Sequence, residues 1–101
     1  MTYLDEIASQ IRDNLPNDAT PPDGAEPLFV LYAVLTRAKG ESTTAEDVHD
    51  AWTAWMQALN PEHVALVPYD ELAPSVQAED SPFLKAIHRT AAQLRASQRV
   101  T

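Results

Sequence analysis

Residues 44–59 read TAEDVHDAWTAWMQAL, and the fold class hangs on them. Thr44 can accept from the amide three residues on while the Asp47 carboxylate reaches back, the capping box that opens a helix. At 100° per residue, Val48, Trp52, Trp55, Met56 and Leu59 fall within a sector of about 100°, and Glu46, Asp47, Asp50 and Gln57 take the other side. Asn60-Pro61 ends the run, since proline disfavours a helical residue before it. The pattern predicts an amphipathic helix over 45–59 with its aromatic stripe turned to a core.

Upstream, Leu28–Leu35 (LFVLYAVL) is apolar on nearly every side. A buried strand would suit that composition, but Arg37, Lys39 and the helix-stopping Gly40 favour a helix over 28–39, with Pro27 at its first turn. A helix apolar all round is buried centrally or sits in an oligomer interface. The eight-residue run is far short of the roughly 20 that a membrane span needs. Further upstream, Thr2 and Asp5 repeat the capping box, and Leu4, Ile7, Ala8 and Ile11 form one stripe, predicting a helix over 3–14. Pro16–Pro27 (PNDATPPDGAEP) reads as a surface connection. The acidic start of the chain does not look like a secretory signal.

Downstream, residues 60–81 are the least regular part, with room for a short strand near 64–68 and a helical turn after Pro74. Ser81-Pro82 reads as the cap and first turn of a last helix over 82–97, with Leu84, Ile87, Ala91 and Leu94 facing inward. Lys85, His88, Arg89, Arg95 and Arg99 share a neighbouring sector of about 120°. The expected architecture is therefore mainly α: a four-helix single domain over residues 1–101 with an irregular proline-containing loop and at most a short strand pair. Trp52, Leu31, Leu35, Ile87 and Leu84 are its expected core residues.

The chain has 101 residues, 45% of them apolar, enough for one modest core. A domain of this size gains from dimerisation, which would bury more. The net charge of −8 argues against nucleic acid as a partner. Residues 1–81 hold all 15 acids beside Arg12, Arg37 and Lys39, whereas residues 82–101 hold four cations and no acid. The cationic helix either complements the acidic body and its own dipole or offers an anion-binding face. With no cysteine, disulfides and thiolate metal sites are excluded, which fits a cytoplasmic setting.

Catalytic signals are sparse. His49, His63 and His88 do not pair at three or four residues on one helix, so no metal and no cofactor are expected. The serines lie in no glycine-rich elbow, and two glycines cannot build a phosphate-cradling loop. No enzyme is expected. His49, at the edge of the tryptophan stripe, either donates to a backbone carbonyl or carboxylate, such as one in the 66–71 loop, or hydrogen-bonds a ligand beside Trp52. Pro68, Tyr69 and Asp70 stand on a loop between two helices, a placement suited to recognition.

Two strings combine, Asp47–Met56 (DVHDAWTAWM) and Leu66–Asp80 (LVPYDELAPSVQAED). The order Val-His-x-x-Trp, then Leu-Val-Pro-Tyr-Asp-Glu-Leu, then an acidic end, resembles the RyR domain, the repeated module of ryanodine receptors that also stands alone in bacteria and phages. The resemblance covers about residues 45–90. The whole chain also resembles small proteins of actinobacteria and their phages. It lacks the family's Gly-Trp pair and the Lys shortly before the final Asp. The resemblance implies binding without fixing the ligand. The expected function is thus a binding module acting on a protein partner, either a second copy or a host protein. The alternative is a receptor for an anionic, nucleotide-like small molecule, with His49, Trp52 and Tyr69 for stacking and hydrogen bonding and Lys85 and Arg89 for charge.

Overall fold

A computed structural model describes the backbone of residues 1–100 and the side chains of residues 1–97, so Arg99 of the basic sector lies outside the described side chains. The elements are α1 (Tyr3–Asp13), α2 (Glu26–Ala38), α3 (Ala45–Leu59), the single-turn α4 (Pro74–Gln77) and α5 (Ser81–Val100). Three 3₁₀ turns, Gly40–Ser42, Tyr69–Glu71 and Ala78–Asp80, link them. No strand occurs among the described residues. The mainly α, single-domain expectation holds.

Both capping boxes form. The Asp5 amide donates to Thr2 Oγ1 and the Thr2 amide to the Asp5 carboxylate, and Thr44 and Asp47 repeat the pair. Gly40 follows α2 at φ +56°, a left-handed conformation that side chains with a Cβ rarely adopt.

α2 runs through the middle and packs on α1, α3 and α5. Leu28, Phe29, Tyr32, Ala33 and Thr36 are buried on it, and Val34, 46% exposed, is its one exposed large hydrophobic residue. Central burial, one of the outcomes open to an all-round apolar helix, is observed for this face. Ile7 and Ile11 of α1, Val48 and Trp55 of α3 and Ile87 of α5 complete the core.

Polar groups tie the layers together. Thr36 and Thr90 are buried, and each hydroxyl donates to the carbonyl four residues back at 2.8 Å. Asn14 Nδ2, at the end of α1, donates to Thr90 Oγ1 at 2.8 Å. His88 Nε2 donates to the Thr43 carbonyl at 2.7 Å, fastening α5 to the α2–α3 turn. His88 is therefore a structural member of the basic sector.

Four details depart from the sequence reading. Ile87 is fully buried, but Trp52, Leu31, Leu35 and Leu84 are half-buried and pack on the edge of the core. α3 is rotated so that Val48, Ala51 and Trp55 face inward, which turns Trp52 to the flank, and Leu59, the last residue of the helix, is 62% exposed. Residues 64–68 form turns: the His63 amide donates to the Asn60 carbonyl, Leu66 to the His63 carbonyl and Ala65 to His63 Nδ1. Amides used locally are not available to a ladder. Ser81 is already helical at φ −57°, ψ −46°, and caps nothing, because the Ala78–Asp80 turn runs straight into α5.

Candidate functional site

A cleft of about 540 Å³ opens between α2, α3, the start of α5 and two irregular segments, the loop after α1 and residues 63–80. Each wall follows from local chemistry. α3 presents His49 and Trp52 on the flank that its rotation leaves outside the core. Their rings stack at 5.5 Å between centroids with 20° between planes. His63 meets the Trp52 ring edge-on at 5.0 Å. The Ala65 amide donates to His63 Nδ1, so the proton of the neutral ring sits on Nε2. α2 contributes Leu28 and Tyr32 and α5 contributes Phe83, whose ring lies 6.0 Å from that of Tyr32. Asp18 and Thr20 close one side, and Leu72, Val76, Glu79 and Asp80 another.

His49 is buried, and its Nε2 donates to the Val67 carbonyl at 2.7 Å. That bond is the structural role open to it from sequence, a clamp from α3 onto the loop at 66–71. The other ring face remains stacked on Trp52 in the cleft wall. Tyr69 lies behind His49, with 6.2 Å between ring centroids, and is not part of the lining. Its carbonyl accepts from Gln77 Nε2 at 2.9 Å. Pro68 and Asp70 are exposed on the same turn. Lys85 and Arg89 are exposed on α5 and do not line the cleft. Of the seven residues singled out from sequence, the structure brings His49 and Trp52 to the cleft, sets Tyr69 behind them, and leaves the other four outside.

The cleft is acidic. Asp18, Glu79 and Asp80 line it, and among the described residues no lysine or arginine does. Burial pushes the Asp80 carboxyl up to about 6, with Glu79 adding to the rise and His49 opposing it. The Tyr32 phenol is also raised, chiefly by burial and then by the Asp80 charge. Four of the described cations are engaged elsewhere, Lys39 with Asp47 at 2.7 Å, Arg95 with Glu41 at 3.0 Å, Arg12 over the Phe29 ring and Arg37 over that of Tyr3, and Lys85 and Arg89 stand exposed on α5 away from the lining. No group of three or more metal-ligating side chains occurs among the described residues.

Sequence reasoning missed Tyr32, Phe83, Asp18, Glu79 and Asp80 as cleft residues. A phenol inside the apolar LFVLYAVL run was the one signal available, since a tyrosine there needs a route for its hydroxyl to water or a partner.

No helix among the described residues is long and apolar enough to cross a membrane. No curated protein and no solved structure matches the chain. The resemblance of residues 45–90 to the RyR domain is overturned, since no RyR domain match is found. Its two strings have local work instead: VH-x-x-W supplies the His49 clamp, and LVPYDEL the turn that His49 and Gln77 hold. What matches, over residues 2–92, is the model of a family described as a domain of unknown function (DUF7701), and the chain belongs to that family.

Proposed function

We propose that this domain is a non-enzymatic binding module that receives a segment of a partner protein in the cleft between α2, α3 and α5. The observation that carries this reading is the shape and lining of the cleft. It is an open hollow of about 540 Å³, lined by the half-buried Trp52 and Phe83, the buried Tyr32 and His49, and the polar Asp18, Thr20, Glu79 and Asp80. Aromatic and polar groups side by side in one hollow are frequent in interface anchor sites.

Two further observations support it. One nitrogen of each cleft histidine is committed to the backbone, His49 Nε2 with the Val67 carbonyl and His63 Nδ1 with the Ala65 amide, which gives both rings a structural role. The apolar side chains of α2, on which self-association was expected to rest, lie mostly inside the domain, which favours a different protein over a second copy. The charge on the cleft opposes the nucleotide-like alternative, because a phosphate would face Asp18, Glu79 and Asp80 with no cation of the described residues beside it.

A random peptide library panned against the intact domain tests this, with binders mapped by amide chemical shifts. Binders should perturb residues 49, 52, 65, 76 and 80, and they should lose affinity for Trp52→Ala that circular dichroism shows to be folded. Binders that leave those amides unmoved would place the working surface elsewhere.

A further inference from the structure

The lining of the cleft carries more than a place to bind. Three carboxylates, Asp18, Glu79 and Asp80, stand in it with no cation of the described chain among them. Asp80 is half-buried, and among the described residues it has neither an ion-pair partner nor a hydrogen-bond donor to its side chain. A carboxylate drawn part-way out of water without a partner is an unfavourable arrangement that a cation entering the site relieves. The half-buried rings of Trp52 and Phe83 also line the cleft, and aromatic rings attract a cation, guanidinium above all. Leu28, Leu72 and Val76 add an apolar wall along which an aliphatic stem can lie. The volume lies within the range of small-ligand pockets, about 300–1,000 Å³, and is ample for one long side chain. The charge of the whole chain, −8, steers basic partners toward it.

We infer that the cleft recognises a lysine or arginine side chain presented by the partner segment, its cationic head paired with Asp80 and its stem lying along the aromatic and apolar wall. This rests on the cleft being the working surface, as proposed above, and it names the chemistry of what enters. The acid–aromatic combination, and not the acids alone, is what selects it. A neutral apolar side chain would leave Asp80 unpaired, and an acidic one would add a fourth negative charge.

The test uses the intact chain and four capped tripeptides: acetyl-Leu-Arg-Leu-amide, its lysine counterpart, the neutral citrulline counterpart and the glutamate counterpart. Amide chemical shifts are followed as each is titrated. The arginine and lysine peptides should shift residues 52, 65 and 80. Because a hydrogen bond to a charged group is worth about 1.5–3 kcal/mol, the arginine peptide should bind at least about tenfold more tightly than citrulline. Asp80→Asn, checked for fold by circular dichroism, should bring the two to within about twofold of each other, and Glu79→Gln should lower the preference partially. Equal affinity of the arginine and citrulline peptides would overturn the inference while leaving the cleft as the binding surface. A preference that survives Asp80→Asn overturns the pairing with Asp80. No shift at the cleft from either cationic peptide overturns the inference outright, and library binders that map to the cleft without a basic residue do the same. Binders that all map elsewhere remove the proposed function and this inference with it.

Discussion

Asp80 sits in the cleft wall where burial favours its neutral form, with a folded-state pKa of about 6 against an ordinary value of 3.8. Below about pH 4 both the folded and unfolded chains hold the proton. Between those two values the unfolded chain releases it while the folded chain keeps it, so stability falls as pH rises through that window and stays lower above it. Asp80→Asn should therefore raise the melting temperature near pH 7 and leave it unchanged near pH 4, measured by thermal scans in matched buffers. An unchanged melting temperature near pH 7 would mean that water or a neighbour already compensates the charge. His49 makes the opposite kind of contribution. Its Nε2–H satisfies the Val67 carbonyl, and His49→Phe would leave that acceptor to find water at a cost of about 1–3 kcal/mol. Urea titration should show that loss, together with faster hydrogen exchange in residues 64–72.

At the scale of elements, α3 is set by its start and by its roll. Thr44→Ala should cost about 1 kcal/mol in chemical denaturation, because it strips the acceptor from the Asp47 amide. The Asp47 carboxyl is held below its ordinary value first by the Lys39 ammonium and then by the Thr44 amide. Its contribution is thus present above 3.8 and lost as pH falls through the lower folded-state value. The roll of α3 separates its two tryptophans. Trp55 is buried in the core, whereas Trp52 is half-buried in the cleft wall. Trp55→Ala should cost about 3–5 kcal/mol and Trp52→Ala clearly less, by urea denaturation. Equal losses would mean that the cleft wall bears as much of the packing as the core does. The stripe of Val48, Trp52, Trp55 and Met56 told that α3 is amphipathic. A stripe spanning about 100° of arc does not tell which of its edges meets α2.

For the whole molecule, the excess of acids is a standing cost. The net charge is −8, and the three ion pairs among the described residues are all at least partly exposed. Exposed pairs contribute little, about 0–1 kcal/mol each, while self-repulsion acts across the entire surface. Raising sodium chloride from about 0.02 to about 0.5 M shortens the screening length from roughly 20 Å to 4 Å and should raise the melting temperature. A fall instead would show that the pairs at Lys39 and Arg95 outweigh the repulsion. Small size sharpens the same point, since total stability for such a domain is about 5–15 kcal/mol. Ile87, with no exposed surface, anchors α5 to α2, and Ile87→Ala should remove about 2–5 kcal/mol of that.

The helices were legible in the sequence because their determinants are local: a hydroxyl and a carboxylate three residues apart, a glycine after the last turn, apolar spacing near 3.6. Those signals placed α3 at its observed bounds and α1, α2 and α5 within a few residues of theirs. That α2 would be enclosed followed from its lack of a polar face. The turns at 60–68 escaped notice, because His63 Nδ1 accepting from the Ala65 amide is a local bond that no apolar alternation records. The cleft was only partly legible. His49 and Trp52 stood out as chemistry beside an apolar stripe, but their neighbours Tyr32, Phe83 and Asp80 lie on α2, on α5 and in the turn before it. Which residues gather around one hollow depends on how helices roll and cross, and that follows from packing the whole core at once. The same packing left Lys85 and Arg89 outside the cleft and its acids inside. Composition determined an acidic helical domain, and only the tertiary structure decided that its cleft would be the acidic place in which to receive a cation.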